Sequence, residues 1–524
     1  MRAKLLIAAA LLPFGAAVGA PAPAFNVDSL FVASIGGPAA LDSLKRITAV
    51  RSVGEVNLNG LPGRFEQFYL APDRFYIRVN FGDFNLVQAY DGTTAWKRDQ
   101  NGQVSTLSGF ERRELLSSVY FESFSYLLPG RLDGSDEYLG TVTENGRCLH
   151  KVAFYPLNAD TILVYFECET GLRTMMRSRL DNIDAETMAG DYRWVAGILL
   201  PYHAKTIAAE AGLFVEFQSD TVDLHARVDS NIFAMPSGGA ADFRFPPGRS
   251  FVEIKFRYHA GHVLVPGLIN GRKGVFILDS GASANMFDKS FADELRLPIV
   301  GTLPARGMGG FERVELVKTD SISIGELTLF NQVAGSLDLS LLGRGGEGDT
   351  MFGGLLGYDF LSRLPVMVNF KDSLLTVFSP DSFLPLPGGH EMPIHLVMLV
   401  PAVTGELDGF SGEFIIDLGN ALGLIIHRGF AEANRLQQVL HNVQDNAGLF
   451  GGIGGSLPGK TAFASTFRMG DIALDSLRVI LPDASEGMAG SEEIAGNIGN
   501  LILEHFAVLF DYPRSRVIFY DADK

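Results

Sequence analysis

Cysteine is nearly missing from this chain: only Cys148 and Cys168 occur in 524 residues. That excludes a disulfide-stapled scaffold and leaves no thiol nucleophile beyond residue 168. Positive charge is also short, with 43 Lys and Arg against 60 Asp and Glu and a formal net charge of −17. Such a balance excludes a partner bound through its phosphates, so no nucleic acid is expected. After the first residues no apolar run approaches the length of a membrane span. No G-x-S-x-G elbow is present, which removes one large class of serine hydrolase.

Metal and cofactor signals are equally thin. The histidines of "HEMPIH", His390 and His395, are five apart rather than four, and Pro393 would break the helix a zinc site needs. "GRGGEG" at 343–348 matches a dinucleotide-loop pattern without a strand before it or a helix after it. His427, set between "LII" and "RGF", reads as an ordinary partly buried residue. No cofactor and no metal is expected.

What is present begins with "MRAKLLIAAALLPFGAAVGA". Arg2 and Lys4 precede the apolar stretch Leu5 to Leu12, and Val18-Gly19-Ala20 offers a small-residue cleavage site. Residues 1–20 therefore read as a secretory signal, and the chain is expected to be exported, periplasmic or secreted. In an oxidising compartment the two cysteines gain interest. If their segments pair about the turn "LNA" at 157–159, residues whose numbers sum to 316 face each other, and the cysteines meet that condition. A cross-strand disulfide is then geometrically allowed; two half-buried free thiols are the alternative.

Residues 25–235 carry short alternating runs such as "RFYIRVNF", "LHKVAFYP" and "TILVYFE", separated by Gly, Asp, Asn and Pro turns. This pattern predicts a large curved antiparallel sheet, with helices near 37–47 and 111–128 packed on it. A Gly/Pro-rich stretch at 236–250 reads as a linker, and 381–390 reads as a second.

The two segments those linkers bound, 251–380 and 391–524, repeat one scheme. "VFILDSGAS" precedes "GLLGYDFL" in the first, and "EFIIDLGNA" precedes "GNIGNLIL" in the second. From Asp279 to Gly354 is 75 residues, and from Asp417 to Gly496 is 79. Between them lie "GMGGF" at 307–311 and "GLFGGIGG" at 448–455. A strand ending in Asp-x-Gly holds a carboxylate on a tight turn, near the amide hydrogens of small residues. Two such carboxylates brought together share a proton, so that one can act as base and the other as acid.

Residues 251–380 resemble a retropepsin-like aspartic protease half, and 391–524 resemble a diverged second half. The resemblance implies catalytic roles for Asp279 and Asp417, with loop support from Ser280, Gly281, Ala282 and Gly419. It implies flaps around Gly309, Gly310 and Phe311 and around Gly451 and Gly452, closing on a polypeptide substrate. Leu418 stands where the family has Ser or Thr, whose hydroxyl links the two active-site loops, and Asn420 stands where Ala282 does. The segments "GGPAALDSLKRITAVRSVGEV", "AYDGTTAWK" and "DYRWVAGILLPYHAKT" resemble the periplasmic lipoprotein-carrier superfamily of half-open β-barrels, which implies a lipid or lipoprotein ligand.

The expected architecture is mainly β: an N-terminal curved antiparallel half-barrel with helices, then two retropepsin-like β lobes forming a pseudo-dimer. The expected activity is aspartic endopeptidase. The alternatives are a site built from Asp279 of two chains, and a catalytically silent binder of lipid, lipoprotein or extended peptide.

Overall fold

The computed structural model describes residues 26–342, 350–380, 382–445, 450–452, 455–484 and 486–521. The signal-like segment, the stretch 343–348, and residues 448, 449, 453 and 454 of the second Gly-rich stretch lie outside the described residues. Among the described residues no helix is long and apolar enough to cross a membrane. The chain is mainly β, as its alternating runs predict.

The N-terminal part forms one 13-stranded antiparallel sheet. Chain neighbours pair except at one break, where Val104–Thr106 and Gly134–Glu144 form the two edges, and Ala49–Leu58 pairs with Leu213–Asp223 to join the meander's two halves. In the predicted hairpin, Leu149 lies opposite Glu167, and just past the strand end Cys148 and Cys168 form a disulfide with Cα atoms 5.5 Å apart. Two expected helices are shorter than predicted, Pro38–Leu44 and Gly109–Glu122. A third, Val27–Ser34, has its N-cap at Asn26, whose side chain accepts from Ser29 N.

One face of the sheet carries most of its apolar side chains and is filled from within the chain, while Val87, Ala89 and Trp96 form a smaller cluster on the other. Phe31 from Val27–Ser34 and Phe121 from Gly109–Glu122 pack on Phe154, Val164 and Phe166. Further along, Val56, Phe65 and Phe81 pack instead against Leu316 and Val333 of the following lobe. The stretch 236–250 is not a bare tether. Phe243–Arg244 adds an edge strand beside Leu327–Leu337, and Asp242 pairs with the buried Arg363. Its Gly and Pro content conceals this, because an isolated two-residue strand has no periodicity to read.

The two lobes run through the same succession. In lobe 1, Arg272–Leu278 lies parallel to Met351–Leu356; in lobe 2, Phe410–Ile416 lies parallel to Ile494–Ile498. Both pairs shift register at the same point, between Val275 and Phe276 and between Glu413 and Phe414, opposite Gly354 and Gly496. Each lobe then adds a short strand antiparallel to the second member of its pair, Met286–Asp288 or Leu424–Ile426.

A six-stranded sheet joins the lobes. Val366–Asn369 of lobe 1 pairs with Phe506–Asp511 of lobe 2, Val368 facing Val508. One apolar core runs across the junction, from Leu278 and Phe360 to Ile416, Leu418 and Phe510. Burying a shared core fixes the lobes against each other, so loops at their strand ends meet in a defined geometry.

Candidate active site

Asp279 and Asp417 occupy equivalent places. Each follows the last residue of its buried strand, and each backbone N–H still bonds the parallel neighbour: Asp279 N to Leu356 O and Asp417 N to Ile498 O, both at 2.9 Å. The chain then turns, and Gly281 N and Gly419 N donate back to Oδ1 of their own aspartates at 2.9 Å. The loops cross. A Cβ at Gly281 would lie 2.4 Å from Asp417 Oδ1, and one at Gly419 would lie 2.4 Å from Asp279 Cγ. Each glycine is thus the floor on which the other lobe's carboxyl rests, and any side chain there would push the two acids apart.

Ser280 ties the loops together from one side. Its hydroxyl donates to Ile416 O at 2.7 Å and accepts from Leu418 N at 2.9 Å. Leu418 returns no hydrogen bond through its side chain; it is fully buried in the interlobe core. Asn420 does not intrude on the acids. Its N–H donates to Asp417 Oδ1 at 3.1 Å, while its side chain braces its own loop through Gly423 O and Leu422 N. Ala282 leaves room in lobe 1, where Tyr358 N bonds its carbonyl.

The two carboxyls meet across the crossed loops, close enough for each to act on the other's protonation. Burial pushes Asp279 up to about 8, and the neighbouring charge of Asp417 adds to the shift. Burial raises Asp417 as well, against the opposing donation of Asn497, Gly419 and Asn420. A close pair of buried acids holds one proton over a wide pH range, and its titration belongs to both.

Gly307–Gly310 forms the turn between Ile299–Arg306 and Phe311–Ile324, and Gly307 N donates to Gly310 O at 2.8 Å. This tip is held by lobe 2: Met488 N bonds Gly307 O and Ala489 N bonds Met308 O. Gly487 sits so close that a Cβ there would lie 2.5 Å from Gly310 N. Gly452, in the small hairpin of Phe450–Gly452 and Gly455–Leu457, lies against Met308.

The N-terminal sheet holds the same tip from another side. Arg306 pairs with Asp181 at 2.8 Å, both side chains buried, and also donates to Asn182 Oδ1 and Gly487 O. Asp181 accepts from Glu492 N at 2.7 Å. Phe311 packs on Ala185, Ala208 and Ala211 of the N-terminal sheet, which gives it a neighbour that sequence reading did not foresee.

Four residues at the site escaped the sequence. Asn497 Nδ2 donates to Asp417 Oδ2 at 2.6 Å. His427 is fully buried against Asn497 rather than partly exposed, because it takes the helix N-cap place that Asp288 has in lobe 1. Arg306 and Asp181 come from regions far apart in the chain, and no local pattern marks them. Of the decoys, His390–Pro393 is a strand edge of the six-stranded sheet.

Comparison with known proteins agrees with part of this description. Residues 265–360 match a family model described as an aspartyl protease. No curated protein matches the chain. Among solved structures, a DUF1329 family protein from Desulfovibrio piger is similar over 40% of this chain and 97% of its own, at 12% identity and a TM-score of 0.29. A Vibrio parahaemolyticus domain described as an outer membrane lipoprotein-sorting protein is similar over 40% of this chain and 96% of its own, at 9% identity and a TM-score of 0.29. Residues 265–360 are therefore similar to an aspartyl protease unit, and the chain as a whole carries that unit within a larger β architecture.

Proposed function

We propose that the chain is an aspartic endopeptidase in which Asp279 and Asp417 share a proton and activate a water between the lobes. The observation that carries this is the pair of buried carboxyls on crossed loops, one acid from each lobe, each resting on the other loop's glycine. One carboxyl, charged, takes a proton from the water as it attacks the peptide carbonyl. The other, protonated, donates to the carbonyl oxygen as its charge develops. The hairpin 299–324 closes over an extended polypeptide, and the N-terminal sheet steadies that hairpin through Arg306 and Phe311.

The matching register shifts in the two lobes support an internal duplication. The disulfide supports an exported chain, since such bonds persist in oxidising compartments. With Asp417 beside Asp279 in one chain, a site built from two copies is not needed.

A second reading is a silent binder. The missing hydroxyl at Leu418 and the tied hairpin favour it, whereas the filled apolar face of the N-terminal sheet argues against a lipid there. The test is hydrolysis of an unfolded polypeptide by wild type and by Asp279→Asn across acidic and neutral pH. Cleavage that disappears in the variant supports the peptidase. No cleavage by wild type at any pH leaves the binder.

A further inference from the structure

Lobe 2 lacks the hydroxyl that would tie its loop to lobe 1, yet its aspartate has a partner that Asp279 lacks. In strand Met351–Leu356 the residue beside the final leucine is Leu355, an apolar side chain buried with Ile277 and Met286. The matching place in Ile494–Ile498 is Asn497, whose Nδ2 donates to Asp417 Oδ2. Asp417 Oδ1 is served separately, by Gly419 N and Asn420 N. Both oxygens of Asp417 therefore accept hydrogen bonds from neutral donors, and an anion in a dry site is held best where both oxygens are satisfied.

Behind the amide lies His427, fully buried. Burial holds its imidazole down at about 4, so it is neutral above that pH. Its Nδ1 and Nε2 and Asn497 Oδ1 are all buried without a hydrogen-bond partner among the described residues, and the single N–H of a neutral ring can turn toward that oxygen. The groups around Asp417 are Asp279, its partner; Tyr512, a buried phenol that stays neutral; and Asn497 with His427. The buried Arg306–Asp181 pair acts on His427 from the hairpin and the N-terminal sheet.

We propose that Asn497 is the positioning residue that makes Asp417 the charged, water-activating member of the pair and leaves the proton on Asp279. This rests on the peptidase reading for its catalytic meaning. It also replaces, on the outer side of Asp417, the restraint that Leu418 cannot supply from the inner side.

The test is Asn497→Leu, nearly the same shape and the side chain lobe 1 carries at Leu355. Without the amide the pair takes up its second proton more readily. The acid limb of kcat/KM should move up by about one pH unit, with kcat falling and KM little changed. Asn497→Gln, which keeps an amide, should recover part of the shift. An infrared titration of the carboxyl pair, with the Asp279→Asn, Asp417→Asn double variant as blank, reads the same protonation without turnover. An upward shift in Asn497→Leu supports the proposal, and an unmoved titration in a folded variant overturns it. If wild type cuts nothing, the peptidase reading falls, while the infrared result still decides the role of Asn497.

Discussion

The two active-site loops share a backbone and differ in what secures them. In lobe 1 the residue after the aspartate, Ser280, reaches across and bonds lobe 2 twice, and the strand beside the aspartate is apolar. In lobe 2 the residue after the aspartate, Leu418, is part of the core, and the strand beside it carries Asn497. The comparison teaches that two halves in one chain need not be equal. Ser280 contacts both a carbonyl and an N–H of the opposite loop, so one such residue can tether both loops, which frees the other lobe to specialise.

The sharpest way to break the comparison is Asp417→Asn. If both lobes contribute chemistry, turnover should fall by about 10³-fold or more, measured on a quenched peptide substrate, with folding intact. Retained activity would make lobe 2 a support for lobe 1 alone.

Next in size is Ser280→Ala. It leaves Ile416 O and Leu418 N without their bridging partner in a buried site, at a cost of about 1–3 kcal/mol. Denaturant unfolding should register that loss, and activity should fall as the loops separate.

The proton held by the pair gives a third, smaller effect. Burial and the charge of Asp417 push Asp279 from an ordinary value of 3.8 up to about 8, so the folded pair keeps a proton that the unfolded chain releases in that window. The stabilisation is full below about pH 4 and is lost as pH rises through about 8. Wild type should lose melting temperature relative to Asp279→Asn between those limits, and the basic limb of activity should fall near 8. Parallel pH–Tm curves for the two proteins would contradict this.

The smallest change is Leu418→Thr, which restores a hydroxyl but removes apolar volume from the core. The two effects oppose each other, and stability should change by less than about 1.5 kcal/mol. A large gain in activity would mean that the missing hydroxyl limits turnover after all.

Much of this was legible in the sequence. The Asp-x-Gly turns, the later Gly-x-x-Gly segments and the hairpin that aligns Cys148 with Cys168 are local patterns, and locality is what a single sequence displays. Asn497 was not legible, because an Asn between Gly496 and Ile498 looks like turn chemistry. Only the parallel pairing with Phe410–Ile416 turns it toward Asp417. Arg306 and Asp181 meet through the packing of separate sheets, and so do Phe311 and its alanine neighbours. The helices ended early where Ser123 and Lys45 cap them, since apolar residues beyond a cap prolong the apparent period.

The six-stranded sheet between the lobes also sets a timetable. Asp279 and Ser280 are made before the strands that position Asp417 and close the sheet, Ile494–Ile498, Phe506–Asp511 and Arg516–Asp521. Long-range pairing of this kind forms only when its late partner exists. A chain still being synthesised, or one cut short before these strands, has both aspartates and no site. Any cutting activity would thus arrive with the final strands, after the N-terminal sheet that grips the hairpin has been made.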